Sequence, residues 1–156
     1  MMLIGANLGP AAAGSPALGC YERDYSAAHL TKHRLQVVDR IVLHITRQEG
    51  AGRFANMWVE TANQGHVAAS GHGGGRFSQF LHCWSDNGVN KCAVECDGGT
   101  MQITKQSAKG LTFRTRSLLV GDTDECGGAV DLAEVQGQPV SYRLNRVSDA
   151  VCAAEY

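Results

Sequence analysis

The run Cys83-Trp84-Ser85-Asp86-Asn87-Gly88-Val89-Asn90-Lys91-Cys92 decides the fold. An Asn-Gly pair between two apolar runs is the strongest short-range signal for a two-residue hairpin turn. With Asn87 and Gly88 as the turn, Asp86 pairs with Val89, Ser85 with Asn90, Trp84 with Lys91 and Cys83 with Cys92. Hydrogen-bonded and non-hydrogen-bonded pairs alternate outward from the turn. Cys83 therefore meets Cys92 at a non-hydrogen-bonded position, where cross-strand side chains lie closest. A disulfide fits there, and it implies a strand register, an oxidising compartment and an antiparallel sheet together.

Working outward, a period of two puts Leu35, Val37, Ile41, Leu43 and Ile45 on one face and Gln36, Arg40, His44 and Thr46 on the other. Further strands are expected over Phe54–Glu60, Gly65–Ala69, Phe77–Trp84, Lys91–Asp97, Thr100–Lys105, Leu111–Thr115, Ser117–Val120, Ala129–Glu134 and Val140–Val147, separated by turn-forming residues. One short helix, Tyr25–Arg34, is expected before them with Asp24 or Ser26 as its cap, and Ser148–Tyr156 reads as a helical turn capped by Ser148. Short strands joined by tight turns cannot form parallel units with helical crossovers. The expected fold class is all-β: an antiparallel up-and-down β-barrel or sandwich of about 8–10 short strands with one short N-terminal helix. In architecture alone, a meander of this kind resembles the barrels of lipocalins and avidins.

The chain has 156 residues, one domain's worth, and 44% of them are hydrophobic. Its formal net charge of -1 implies no basic face for nucleic acid and no acidic block for cations or basic partners, so bulk electrostatics select no partner class. The first nineteen residues carry no charge and resemble the tail of a secretory signal. The expected organisation is a residual signal-like or disordered segment over residues 1–19 and a single disulfide-stapled β domain over residues 20–156, periplasmic or secreted. No segment approaches the roughly 18 apolar residues of a transmembrane helix, so an integral membrane protein is not expected.

Six cysteines allow several pairings. Cys92 and Cys96, read as one strand, lie roughly 13 Å apart, too far to bridge. Cys96 is therefore assigned to Cys126, which leaves Cys20 with Cys152.

Alternation around the hairpin places Phe80, His82 and Trp84 on the face opposite the cysteines, with Lys91 across from Trp84 in cation–π reach. These four residues form the expected binding surface. The competing reading covers that face with the N-terminal segment or the first helix. His29 and His33 are four apart, a spacing that allows a shared metal on one helix face, although the zinc-peptidase glutamate is missing between them. Gly71-His72-Gly73-Gly74-Gly75 resembles an esterase oxyanion loop, but no G-x-S-x-G elbow accompanies it. No motif calls for a cofactor and no catalytic residue is nominated. The reading is a small exported β-barrel binding protein without catalytic activity, acting as ligand carrier, inhibitor or accessory subunit, with a protein, glycan or small apolar ligand as partner and no nucleic acid. The alternatives are a metal- or haem-binding protein using His29 and His33, or a structural subunit of a larger assembly.

Overall fold

The computed structural model describes residues 14–121 and 128–156. The strands are β1 (Gly19–Asp24), β2 (Val38–Gln48), β3 (Gly52–Thr61), β4 (Arg76–Asp86), β5 (Val89–Ala93), β6 (Gly99–Ser107), β7 (Gly110–Val120), β8 (Val130–Asp131) and β9 (Val140–Val147). Three short helices accompany them: α1 (Ala27–Lys32), α2 (Gly65–Ala69) and α3 (Asp149–Ala153).

The β4–β5 hairpin has the register read from its turn, with Cys83 opposite Cys92, Trp84 opposite Lys91 and Asp86 opposite Val89. Asn87 and Gly88 both take positive φ, 49° and 78°, as the tightest turn requires. The Cys83–Cys92 disulfide closes across it with the Cα atoms 4.0 Å apart, and Cys20 joins Cys152. No cysteine among the described residues is free. The expected partner of Cys96, Cys126, lies outside the described residues.

From β1 to β7 each strand pairs antiparallel with the next, β7 pairs with β9, and β9 returns to β1. Eight strands thus close an up-and-down barrel, while β8 adds only two residues alongside the end of β7. Closure removes the sheet edges that an open meander would leave for aggregation. An eight-stranded barrel is just wide enough for side chains to fill it. Here they do: Tyr21, Leu43, Met57, Leu81, Met101, Phe113 and Tyr142 are all buried inside. The lumen is core, so contact with another molecule falls to the outer wall and the two barrel ends.

The structure corrects several local expectations. Gly65–Ala69 is helix α2, not a strand. Gly65 has φ +63°, and a Cβ there would stand 3.1 Å from the Leu35 carbonyl oxygen. The preceding Gln64 donates through Nε2 to the carbonyls of Leu30, His33 and Gln36, satisfying the C-terminal end of α1. These are tertiary contacts that alternation over five residues does not reveal. Helix α1 is shorter than expected, and of the two candidate caps Ser26 is the one used, accepting from the His29 N–H. Because the chain enters β2 only at Val38, with a register shift there, Leu35 is exposed and Gln36 is buried, the reverse of the strand reading. Strand β1 was not expected, and Leu111–Thr115 and Ser117–Val120 are one strand, β7, carrying a bulge. Cys96 stands in the β5–β6 turn at φ +57°, not on a strand face with Cys92. Residues 14–18 belong to the barrel: Asn90 and Gln106 hold Gly14, Ser15 and Ala17 across one end, and Tyr21 donates to the Ala17 carbonyl.

Candidate functional site

Strand alternation divides the outer wall into three sectors. Over β1, β2 and the end of β3, the C-terminal segment covers the wall. Ser148 caps α3, the Cys20–Cys152 disulfide pins it, and Cys20, Val42 and Cys152 bury a small cluster beneath it with Trp58 and Val147 packed alongside. The segment then fastens itself with polar contacts. Arg40 donates to Glu22 at 2.6 Å and to Glu155 at 2.7 Å, and Arg76 donates to the other Glu155 oxygen at 3.0 Å. Burial works against the Arg40 charge, but its hydrogen bonds to Glu155 and Glu22 outweigh it and hold the guanidinium above its ordinary pKa. The Tyr156 hydroxyl meets His44 Nδ1 at 2.8 Å and accepts from Asn56 at 3.0 Å.

The second sector is aromatic. Phe54 of β3 is directly opposite His82 of β4, and Phe80 and Trp84 flank His82 along β4. Their rings run in sequence: Phe80 on Phe54 at 5.2 Å, Phe54 on His82 at 5.3 Å, His82 on Trp84 at 5.8 Å. Phe80 is 47% exposed, a large value for phenylalanine. Neither α1 nor α2 covers this row. Helix α1 is tied instead to the far barrel end, between β1 and β2, by Gln64 and Gln36. The structure therefore brings Phe80, His82 and Trp84 together as expected and adds Phe54, whose outward position alternation from Trp58 could have revealed. Lys91 is opposite Trp84 but makes no cation–π contact with it; such contacts among the described residues are Arg23 over Tyr25 and Arg146 over Tyr21.

The third sector corrects the inference drawn from net charge. Strands β5, β6, β7 and β9 carry Lys91, Lys105, Arg114, Arg116, Arg143 and Arg146 and not one carboxylate. Lys91, Gln102, Arg114 and Ser141 form one cross-strand row, and Lys105, Thr112 and Arg143 form the next. Of the six cations only Arg146 has an ion pair among the described residues, with Asp149. A whole-chain charge of -1 thus hides a basic wall. An open cleft of about 920 Å³ lies over it, lined in part by Gln102, Thr104, Lys105, Thr112 and Arg143.

No family model, curated protein or solved structure matches this chain.

At the far end, His29 stacks between Tyr25 and His33, its centroid 4.8 Å and 4.3 Å from theirs. His29 Nε2 is 2.8 Å from Gln36 Oε1, and Gln36 in turn donates to the Val38 carbonyl. The two histidines do meet, but one is committed to a buried glutamine, and no group of three His, Cys, Asp or Glu side chains among the described residues surrounds them. His72 of the glycine-rich loop faces Ser70 and Phe77.

Proposed function

We propose that this protein is an exported binding protein without chemistry of its own, which engages a protein partner through the outer wall that runs from Phe80 to Arg143. The carrying observation is the outward row of Phe80, Phe54, His82 and Trp84 rings, Phe80 and His82 exposed and Phe54 and Trp84 half-buried, continued across the sheet by cations with no carboxylate ion pair among the described residues. Contiguous exposed aromatics mark interaction surfaces, and aromatic anchors with a charged flank are the composition of binding hot spots. The lumen is packed with side chains, which favours a partner on the wall over a ligand inside. The partner best suited to this wall has an apolar pocket for the rings and an acidic rim for Lys91, Arg114 and Arg143. The anchors then set the dissociation rate, and the cations speed the encounter.

Two disulfides among the described residues favour an oxidising compartment, and periplasmic or secreted placement is the corresponding proposal. Two of the groups with displaced protonation equilibria hold the fold: Tyr142 donates to the buried Leu132 carbonyl, and Arg40 fastens the C-terminal segment.

The test immobilises the protein and exposes it to the exported proteins of the cell that makes it. One species should be retained by the wild type and lost from Trp84→Ala and Phe80→Ala. Arg114→Gln with Arg143→Gln should slow its association and flatten the salt dependence. A species held equally by all four proteins would refute this surface.

A further inference from the structure

The β2–β3 turn sets Arg47 directly opposite Arg53. Cross-strand partners in an antiparallel pair have Cβ atoms about 5 Å apart, and like charges at such a position are destabilising. Among the described residues neither guanidinium makes an ion pair or a side-chain hydrogen bond, and the Arg53 Nε is buried without a hydrogen-bond partner. A buried donor on a charged group that lacks an acceptor carries its full desolvation cost. Two unfavourable features thus coincide, and the hairpin does not need either, since neutral polar residues would serve its register as well.

Both arginines line a cleft of about 440 Å³ at the barrel end, together with Ser15, His82, Trp84 and Ser85. No carboxylate is among its lining residues. By alternation with Ile45 and Ala55, Arg47 and Arg53 belong to the inward register of the barrel end and not to the outer wall.

We propose that this cleft binds a small oxyanion, a carboxylate or a phosphate group, between the Arg47 and Arg53 guanidiniums. The anion neutralises the repulsion between the two cations, and a turn of the Arg53 side chain into the cleft would give its Nε the acceptor it lacks. Guanidinium forks match the two-oxygen edge of either group. His82 and Ser85 offer further donors, and the Trp84 indole gives an apolar wall for whatever carries the anion. The cleft shares His82 and Trp84 with the wall, but neither arginine is among the proposed protein contacts, so Arg47→Gln tests the anion site apart from the wall reading.

The test follows the Arg53 Nε–H resonance by NMR while sodium phosphate or sodium benzoate replaces sodium chloride at constant ionic strength. Saturable movement with either anion is expected, and the stronger of the two identifies the source chemistry. Arg47→Gln should weaken that binding about tenfold. In chloride alone Arg47→Gln should also melt no lower than the wild type, because it relieves the repulsion, and the order should reverse when the anion is present. An Nε–H resonance unmoved by both anions would overturn the proposal, as would an Arg47→Gln variant that melts lower than wild type in both buffers.

Discussion

Trp84 and Lys91 are direct cross-strand partners on the outer wall, Trp84 ending the row of aromatic rings and Lys91 opening the four strands β5, β6, β7 and β9, whose residues include no carboxylate. A single pair is therefore the seam between two surfaces of different physical character. The aromatic rings and the cations meet on adjacent strands tied together by the Cys83–Cys92 bond just inside the wall. In the proposed binding role, that tie would present both surfaces in one orientation and lower the ordering cost of association.

Gly88 and Gly99 separate conformational strain from steric collision. Both have positive φ, 78° and 90°, but a Cβ on Gly88 meets nothing within 4 Å, whereas one on Gly99 would stand 2.0 Å from the Ser117 carbonyl oxygen. Gly88→Ala should cost about 1 kcal/mol, the usual penalty of a left-handed alanine. Gly99→Ala must also push β6 from β7, so its loss should exceed that of Gly88→Ala by at least about 2 kcal/mol. Urea denaturation of the two variants checks the order.

The Cys83–Cys92 and Cys20–Cys152 disulfides close loops of very different length, with separations of 9 and 132 residues. On the chain-entropy account, removing Cys83–Cys92 costs about 3 kcal/mol and removing Cys20–Cys152 about 5 kcal/mol. Paired alanine variants should therefore rank in that order by denaturation midpoint. The Cys20–Cys152 variant should also release the C-terminal segment, read as faster amide exchange from residues 148–156.

What could be read in advance depended on how local the deciding contact is. The hairpin register needed only ten consecutive residues and the geometry of one turn, and the all-β class followed from the same period elsewhere. Helix α2 was misread because its reasons are distant, in the Gln64 bonds to α1 and the approach of Gly65 to Leu35. Three of the four rings of the aromatic row were legible on β4, but Phe54 joins them from a strand whose register with β4 is set across a long connection. The basic wall disappeared into the net charge, although the carboxylate-free strands were countable once their boundaries were known. The opposition of Arg47 and Arg53 needed the register of the β2–β3 hairpin, whose turn carries no Asn-Gly signal.

His29 is placed to serve Gln36. It supplies the partner of a buried amide oxygen at 2.8 Å, so His29→Ala should leave that acceptor unsatisfied and cost about 1–3 kcal/mol. His33→Ala removes only a ring contact with His29 and should cost less. Adding zinc to the wild type should leave its melting temperature unchanged. A zinc-dependent rise that vanishes in both variants would restore the paired-histidine metal reading.

Tyr142 predicts the alkaline limit of the fold. Its hydroxyl donates to the Leu132 carbonyl at 2.7 Å, and burial first, then the nearby Glu134, raises its pKa well above the ordinary value of about 10. Burial raises Tyr25 in the same direction. A group that stays protonated in the fold but ionises in the unfolded chain contributes its full stability below the unfolded pKa and loses it above. Stability should therefore hold up to about pH 10 and fall beyond it, by up to about 1.4 kcal/mol per pH unit for each such tyrosine. Tyr142→Phe should cost about 1–3 kcal/mol at neutral pH by orphaning the Leu132 carbonyl, yet it should decline less steeply above pH 10. Denaturation curves at neutral and alkaline pH decide it: parallel declines for the two proteins would show that Tyr142 does not set the limit.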